Sequence, residues 1–211
     1  MRLYSIILGS ALLAGCSGAV KKDASILNEH VEYGRQVALA KNFSKETDFT
    51  ALRMAYTETG HYSPYAVKDI KPIIDAMQKE DFGRCRRLAL RHLEREFVSL
   101  AANYAAMVCH KELGKEDISD RYRFILNGLI DSIFESGDGR SADTAFVTIS
   151  GEELYSFIRL SGLAVESQSL VRKNGRVFDL MKVVDPETDE KVNLYFDVTL
   201  QTTKGLKFPE K

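Results

Sequence analysis

Up to about residue 134 the apolar residues recur every three or four positions, and beyond residue 145 they alternate. The change falls at Ser136-Gly137-Asp138-Gly139, which reads as a helix stop followed by a turn. The first part predicts four to six helices in antiparallel pairs. Residues 24–40 carry Leu27, Val31, Val37 and Ala38 and read as a helix, with Gly34 weakening it. Thr47 or Asp48 caps a helix in which Phe49, Leu52 and Tyr56 share a stripe. Residues 67–80 turn Ile70, Ile73, Ile74 and Met77 inward, and Pro72 suits a first turn, which moves the start past Val67. Helices over 81–95, 97–113 and 117–134 follow, the second rich in alanine and able to let a neighbour approach closely.

The second part predicts a short strand over 145–149 and then a helix over 151–160. Ser150 caps that helix, with Glu153 placed for a capping box. Strands over 163–172, 176–184 and 192–200 complete an antiparallel meander with one dry face. Asn174-Gly175 is the strongest hairpin signal in the chain. The fold class expected is α+β, with the small sheet packed on the last helices. A weak repeat relates residues 79–88 to 115–124, the start of the second helix of a pair in each copy. It is similar to tetratricopeptide hairpins. The small residue usual in that motif is Cys85 in one copy and Arg121 in the other, so helix-pair geometry is expected without membership of that repeat family.

Composition adds one exclusion. With 29 basic and 30 acidic residues the net charge is -1, which gives no case for nucleic-acid binding. Arg84, Arg86, Arg87, Arg91 and Arg95 lie close together, but their spacing, interleaved with Glu94 and Glu96, describes the wet face of a helix.

The N-terminus changes the picture more. Arg2 precedes a short apolar run over 3–13, far below the roughly 20 residues that span a bilayer. The run ends in Leu13-Ala14-Gly15-Cys16, which resembles a bacterial lipobox. That resemblance implies cleavage before Cys16 and lipidation of its sulfur, giving a chain held to the membrane by lipid. Ser17, where Asp would retain a lipoprotein in the inner membrane, implies the outer membrane. The organisation expected is a signal over 1–15, a lipidated Cys and tether over 16–23, a helical region over 24–135 and an α/β region over 136–211 forming one compact unit with it.

Several strings carry a second resemblance. Residues 48–56 (Asp-Phe-Thr-Ala-Leu-Arg-Met-Ala-Tyr), 129–146 around the Ser-Gly-Asp-Gly corner, Gln168-Ser169-Leu170 and 185–196 occur in an order that resembles the bacterial "domain of unknown function 4919" family. The likeness covers about Asp48 to Thr199 and implies no activity, cofactor or catalytic residue.

The corner at 136–140 lacks the alternate oxygen ligands of a calcium loop and the Lys and following helix of a phosphate loop. None of His30, His61, His92 or His110 sits in a nucleophile or zinc-peptidase motif. A zinc site from Cys85, His92, Cys109 and His110 is disfavoured, because residues 109 and 110 diverge on one helix. For Cys85 and Cys109 two readings stay open. If their helices pair and turn near Phe97 the thiols face each other and can bond; both also sit on apolar stripes, where free cysteine is common. Tyr56, Tyr62 and Tyr65 read as packing residues with bonded hydroxyls.

Asp179 alternates onto the same side as Val177, Met181 and Val183, so its carboxylate needs a partner or a bulge. The function expected is non-catalytic: a membrane-anchored lipoprotein, its body in the periplasm or at the cell surface, that serves as a protein-binding or envelope-assembly module with another envelope protein as partner, without cofactor or metal. The alternatives are an immunity or inhibitor lipoprotein and a small envelope hydrolase built on Asp179.

Overall fold

The structure, a computed structural model, describes residues 30–65 and 70–205. Leu27 and the lipobox with Cys16 lie outside these residues. Helix α1 occupies 30–41. It turns Gln36 and Ala40 inward and leaves Val31 70% exposed. Gln36 is buried because its Oε1 accepts the Asp48 amide at 2.8 Å. Asp48 in turn caps α2 (Phe49–Tyr56) by accepting the Ala51 amide at 2.8 Å.

Three helices then stack in chain order. α3 (Lys71–Gln78) holds Pro72 in its first turn, as its fixed φ requires. α4 (Phe82–Leu93) is capped by Asp81 and α5 (Leu100–Glu112) by Ser99. The Cys85 and Cys109 sulfurs are bonded to each other, joining α4 to α5. α6 (Glu116–Phe134) packs along α5. The repeat is imperfect in space as in sequence. Asp81 sits outside α4 as its cap, whereas its counterpart Asp117 lies inside the first turn of α6.

Loop 135–145 forms the corner through its own hydrogen bonds. Thr144 O accepts from the Asp138 and Gly139 amides at 3.0 and 2.8 Å, and Asp138 Oδ1 accepts from the Thr144 hydroxyl and the Arg140 amide. Gly139 has φ +69, and a side chain there would run into the Phe146 ring.

The remaining elements are β1 (Phe146–Val147), α7 (Gly151–Leu160), β2 (Ala164–Lys173), β3 (Arg176–Val184), β4 (Lys191–Asp197) and α8 (Thr199–Gly205). The sheet order is β1-β4-β3-β2. β2, β3 and β4 form the expected antiparallel meander, with the 174–175 turn at φ 52 and 76. β1 pairs with β4 in parallel, so the sheet is mixed. After β1 the chain leaves the sheet through α7 and re-enters at the opposite edge. β1 therefore meets the last strand rather than the next one.

The meander is also not dry on one face alone. Phe178 packs with Ala142 and Ala145 on the side facing the corner loop. The expected third strand stops at Asp197, whose Oδ1 accepts the Thr199 amide at 2.9 Å and turns the chain into α8.

Two apolar clusters result. The larger joins α2, α6, α7 and the sheet, through Leu52, Leu129, Ile133, Phe157, Met181 and Phe196. It therefore crosses the corner. The smaller lies among α3, α4 and α5, around Ile73, Ala89, Ala105 and the disulfide.

Candidate functional site

Asp179 was the carboxylate singled out in the sequence. It is 9% exposed on the face it shares with Val177, Met181 and Val183. Burial pushes its carboxyl above the usual range, and a hydrogen bond from Gln168 opposes the shift. Gln168 Oε1 accepts from the Tyr155 hydroxyl at 2.5 Å. Asp179 thus closes a chain from β3 through β2 to α7. Tyr195 points from the opposite face, since it pairs with Leu180, and Asp179 lines none of the clefts described below.

The structure places a second pair of charges at the centre of the molecule. Arg53 is fully buried on α2 and Glu153 nearly so on α7. Arg53 Nε and Nη2 donate to the two Glu153 oxygens at 2.7 and 2.8 Å. Nη2 also donates to Val147 O at 2.7 Å and Nη1 to Ser132 Oγ at 3.2 Å. One guanidinium therefore ties α2, α6, β1 and α7 together. Half of the expected capping box forms, since Ser150 Oγ accepts the Glu153 amide at 3.1 Å. The Glu153 carboxylate instead takes Arg53 and the Ile149 amide, the latter at 2.7 Å. Every strong donor and acceptor in this pair is engaged internally, so it positions elements.

Glu152, beside it, is held differently. Its Oε1 accepts from Ser156 Oγ at 2.9 Å and the Ala101 amide at 3.1 Å, while its Oε2 is buried with no partner. Burial, with the negative charge of Glu96, pushes this carboxyl up to about 7. Glu96 lies 3.3 Å from His92 Nε2. The tyrosine hydroxyls of this region donate to carbonyls: Tyr56 to His61 O, Tyr62 to Ile149 O and Tyr65 to Gln201 O. Burial raises Tyr33, Tyr56 and Tyr62, the first to about 12.

A groove of about 710 Å³ lies between the start of α2 and the outer face of α6. Its floor is the Phe49 and Phe124 rings, 5.7 Å apart. Gly128 lets Phe49 lie directly on α6, since a Cβ there would sit 2.1 Å from the ring. Asp131 and Glu135 line the rim and make no ion pair or side-chain hydrogen bond among the described residues. The groove thus offers aromatic surface edged with negative charge.

The cysteines and histidines do not converge. Both described sulfurs are in the disulfide, His92 faces Glu96, and His110 Nδ1 lies 2.7 Å from Ala106 O with its ring stacked on Tyr122. Among the described residues no group of three or more His, Cys, Asp or Glu is placed to hold a metal ion.

Arg53, Glu152 and the groove escaped the sequence reading. Arg53 follows Phe49 by four residues and precedes Tyr56 by three, which is the spacing of the apolar stripe itself. That spacing was the available signal. No curated protein and no solved structure matches the chain. A family model does match, over residues 37–205, and its span takes in the buried pair, the corner and the groove. The chain belongs to the family described as "Domain of unknown function (DUF4919)".

Proposed function

We propose that this chain is a lipid-anchored protein of the bacterial envelope that binds another envelope protein through the α2–α6 groove and carries out no catalysis. The observation that carries the reading is the groove: half-buried aromatic surface rimmed by the unpaired carboxylates of Asp131 and Glu135. Such a surface complements a basic segment with an aromatic or aliphatic anchor. The anchoring rests on the lipobox-like Leu13-Ala14-Gly15-Cys16, and Ser17 supports sorting to the outer membrane. The Cys85–Cys109 disulfide supports folding outside the cytosol. No helix of the described residues is long and apolar enough to cross a membrane, so lipid on Cys16 would be the attachment there.

The test is crosslinking in native membranes with wild type and an Asp131→Lys/Glu135→Lys variant. A reproducible partner that is captured by wild type and lost with the variant is expected. A partner set unchanged by the charge reversal would reject the groove. Loss of activity of a captured toxin or enzyme would instead establish an immunity or inhibitor role. Separately, Cys16→Ala should move the protein from the membrane fraction to the soluble fraction.

A further inference from the structure

A second, smaller cavity of about 320 Å³, open to solvent on one side, lies away from the groove, where the end of α3 meets α5 and α7. Its wall is apolar, with Ile74 and Met77 from α3 facing Tyr104 from α5. At its floor are Ala101 and Ser156, whose amide and hydroxyl both donate to Glu152 Oε1 beneath. Those donors are committed, and the carboxyl under them would repel a second anion. The floor therefore suits an apolar group.

The polar end is at the rim. Arg159 lines the cavity from the last turn of α7, is exposed, and its side chain makes no ion pair or hydrogen bond among the described residues. Gln78 lines it as well, from the last residue of α3. A cavity of this size, at the roughly 30 Å³ that liquid water occupies per molecule, takes about ten non-hydrogen atoms. It falls at the small end of ordinary ligand sites.

From these features we infer that the cavity between α3, α5 and α7 binds a small aryl carboxylate, with its ring between Met77 and Tyr104 and its carboxylate at Arg159. An aromatic body is favoured over an alkyl chain because a thioether and a phenol ring both make directional contacts with a ring. A carboxylate is favoured over other heads because a guanidinium holds it with two parallel bonds. This site is independent of the α2–α6 groove, so its failure leaves the protein-binding reading standing.

The probe is 3-phenylpropionate, titrated into the full-length chain by calorimetry at neutral pH and moderate salt. 3-Phenylpropanamide serves as its neutral isostere and hexanoate as its alkyl counterpart. The expected dissociation constant for the acid is on the order of 0.1 to 1 mM, as befits so small a ligand. The amide should bind about five- to tenfold more weakly, and so should hexanoate. Arg159→Gln lies on the surface and should weaken the acid by about the same factor while leaving the amide unchanged. Ala101→Leu, which fills the cavity, should weaken both, with circular dichroism verifying that it folds. Equal affinity for acid and amide, an acid affinity unmoved by Arg159→Gln, or hexanoate binding as tightly as the aryl acid would each overturn the assignment.

Discussion

Arg53 and Glu153 sit side by side with almost no exposure, and their bond is bidentate. Removing one partner strands the other charge where water cannot reach it. Arg53→Met should therefore lower stability by about 3–5 kcal/mol. Arg53→Met/Glu153→Leu leaves no orphan charge and should recover a large part of that loss. Urea unfolding of the single and double variants would measure both, and a double variant as unstable as the sum of the singles would refute the coupling.

Glu152 makes a different prediction, because its charge is unfavourable in the fold. Its folded value of about 7 lies above the ordinary 4.5, so protonation favours the folded state. The associated stability is complete below about pH 4.5 and is lost as pH rises through about 7. A shift of that size corresponds to about 3 kcal/mol. Glu152→Gln stays neutral throughout. The stability of the variant relative to wild type should rise by about 2–3 kcal/mol between pH 5 and pH 8. A difference that stays flat across this range would show that the buried carboxyl does not titrate there.

At the scale of elements, the contact between α2 and α6 depends on one missing side chain. The Phe49 ring occupies the space where a Cβ on Gly128 would stand. Gly128→Ala gains roughly 1 kcal/mol of helix propensity, yet the ring must move off a packed helix at a cost of about 1–3 kcal/mol. A net loss of up to about 2 kcal/mol is expected, whereas the same change at Gly34, where a Cβ meets nothing within 4 Å, should stabilise the chain. Thermal melts of the two variants should therefore move in opposite directions.

The elements themselves were largely legible, because their ends carry local chemistry. Asp48, Ser150 and Asn174-Gly175 each act through neighbours within three residues. The parts that were not legible depend on distant partners. The stripe spacing of Arg53 does not name its partner, because Glu153 lies a hundred residues on. The parallel pairing of β1 is fixed by where α7 delivers the chain. Thr199 and Leu200, which open α8, read as the end of the third strand. They coil because Asp197 caps the helix and Gln201 donates to Thr148.

For the whole molecule, the question is whether the helical half and the sheet half unfold together. The disulfide joins only α4 and α5, within the smaller cluster. Yet α5 contributes to both clusters, with Leu100 in the larger and Ala102, Ala105 and Ala106 in the smaller. Glu152 on α7 accepts the Ala101 amide of that same helix. Unfolding α3–α5 alone would strip Leu100 and Ala101 from the sheet side and leave Glu152 buried without its backbone donor. The two clusters should therefore melt in one transition. Cutting the disulfide releases a loop with a sequence separation of 24, which by chain entropy costs about 3 kcal/mol. If the molecule is one cooperative unit, that loss appears everywhere. Cys85→Ala/Cys109→Ala should lower the midpoint by roughly 6–12 °C and keep a single transition. Tyrosine signals in the near ultraviolet, which come from tyrosines spread over both halves with only Tyr104 on α3–α5, and helix signals in the far ultraviolet should shift by the same amount. If the far-ultraviolet transition moved alone, α3–α5 would be a separate unit and the coupling through Leu100 and Glu152 would be wrong.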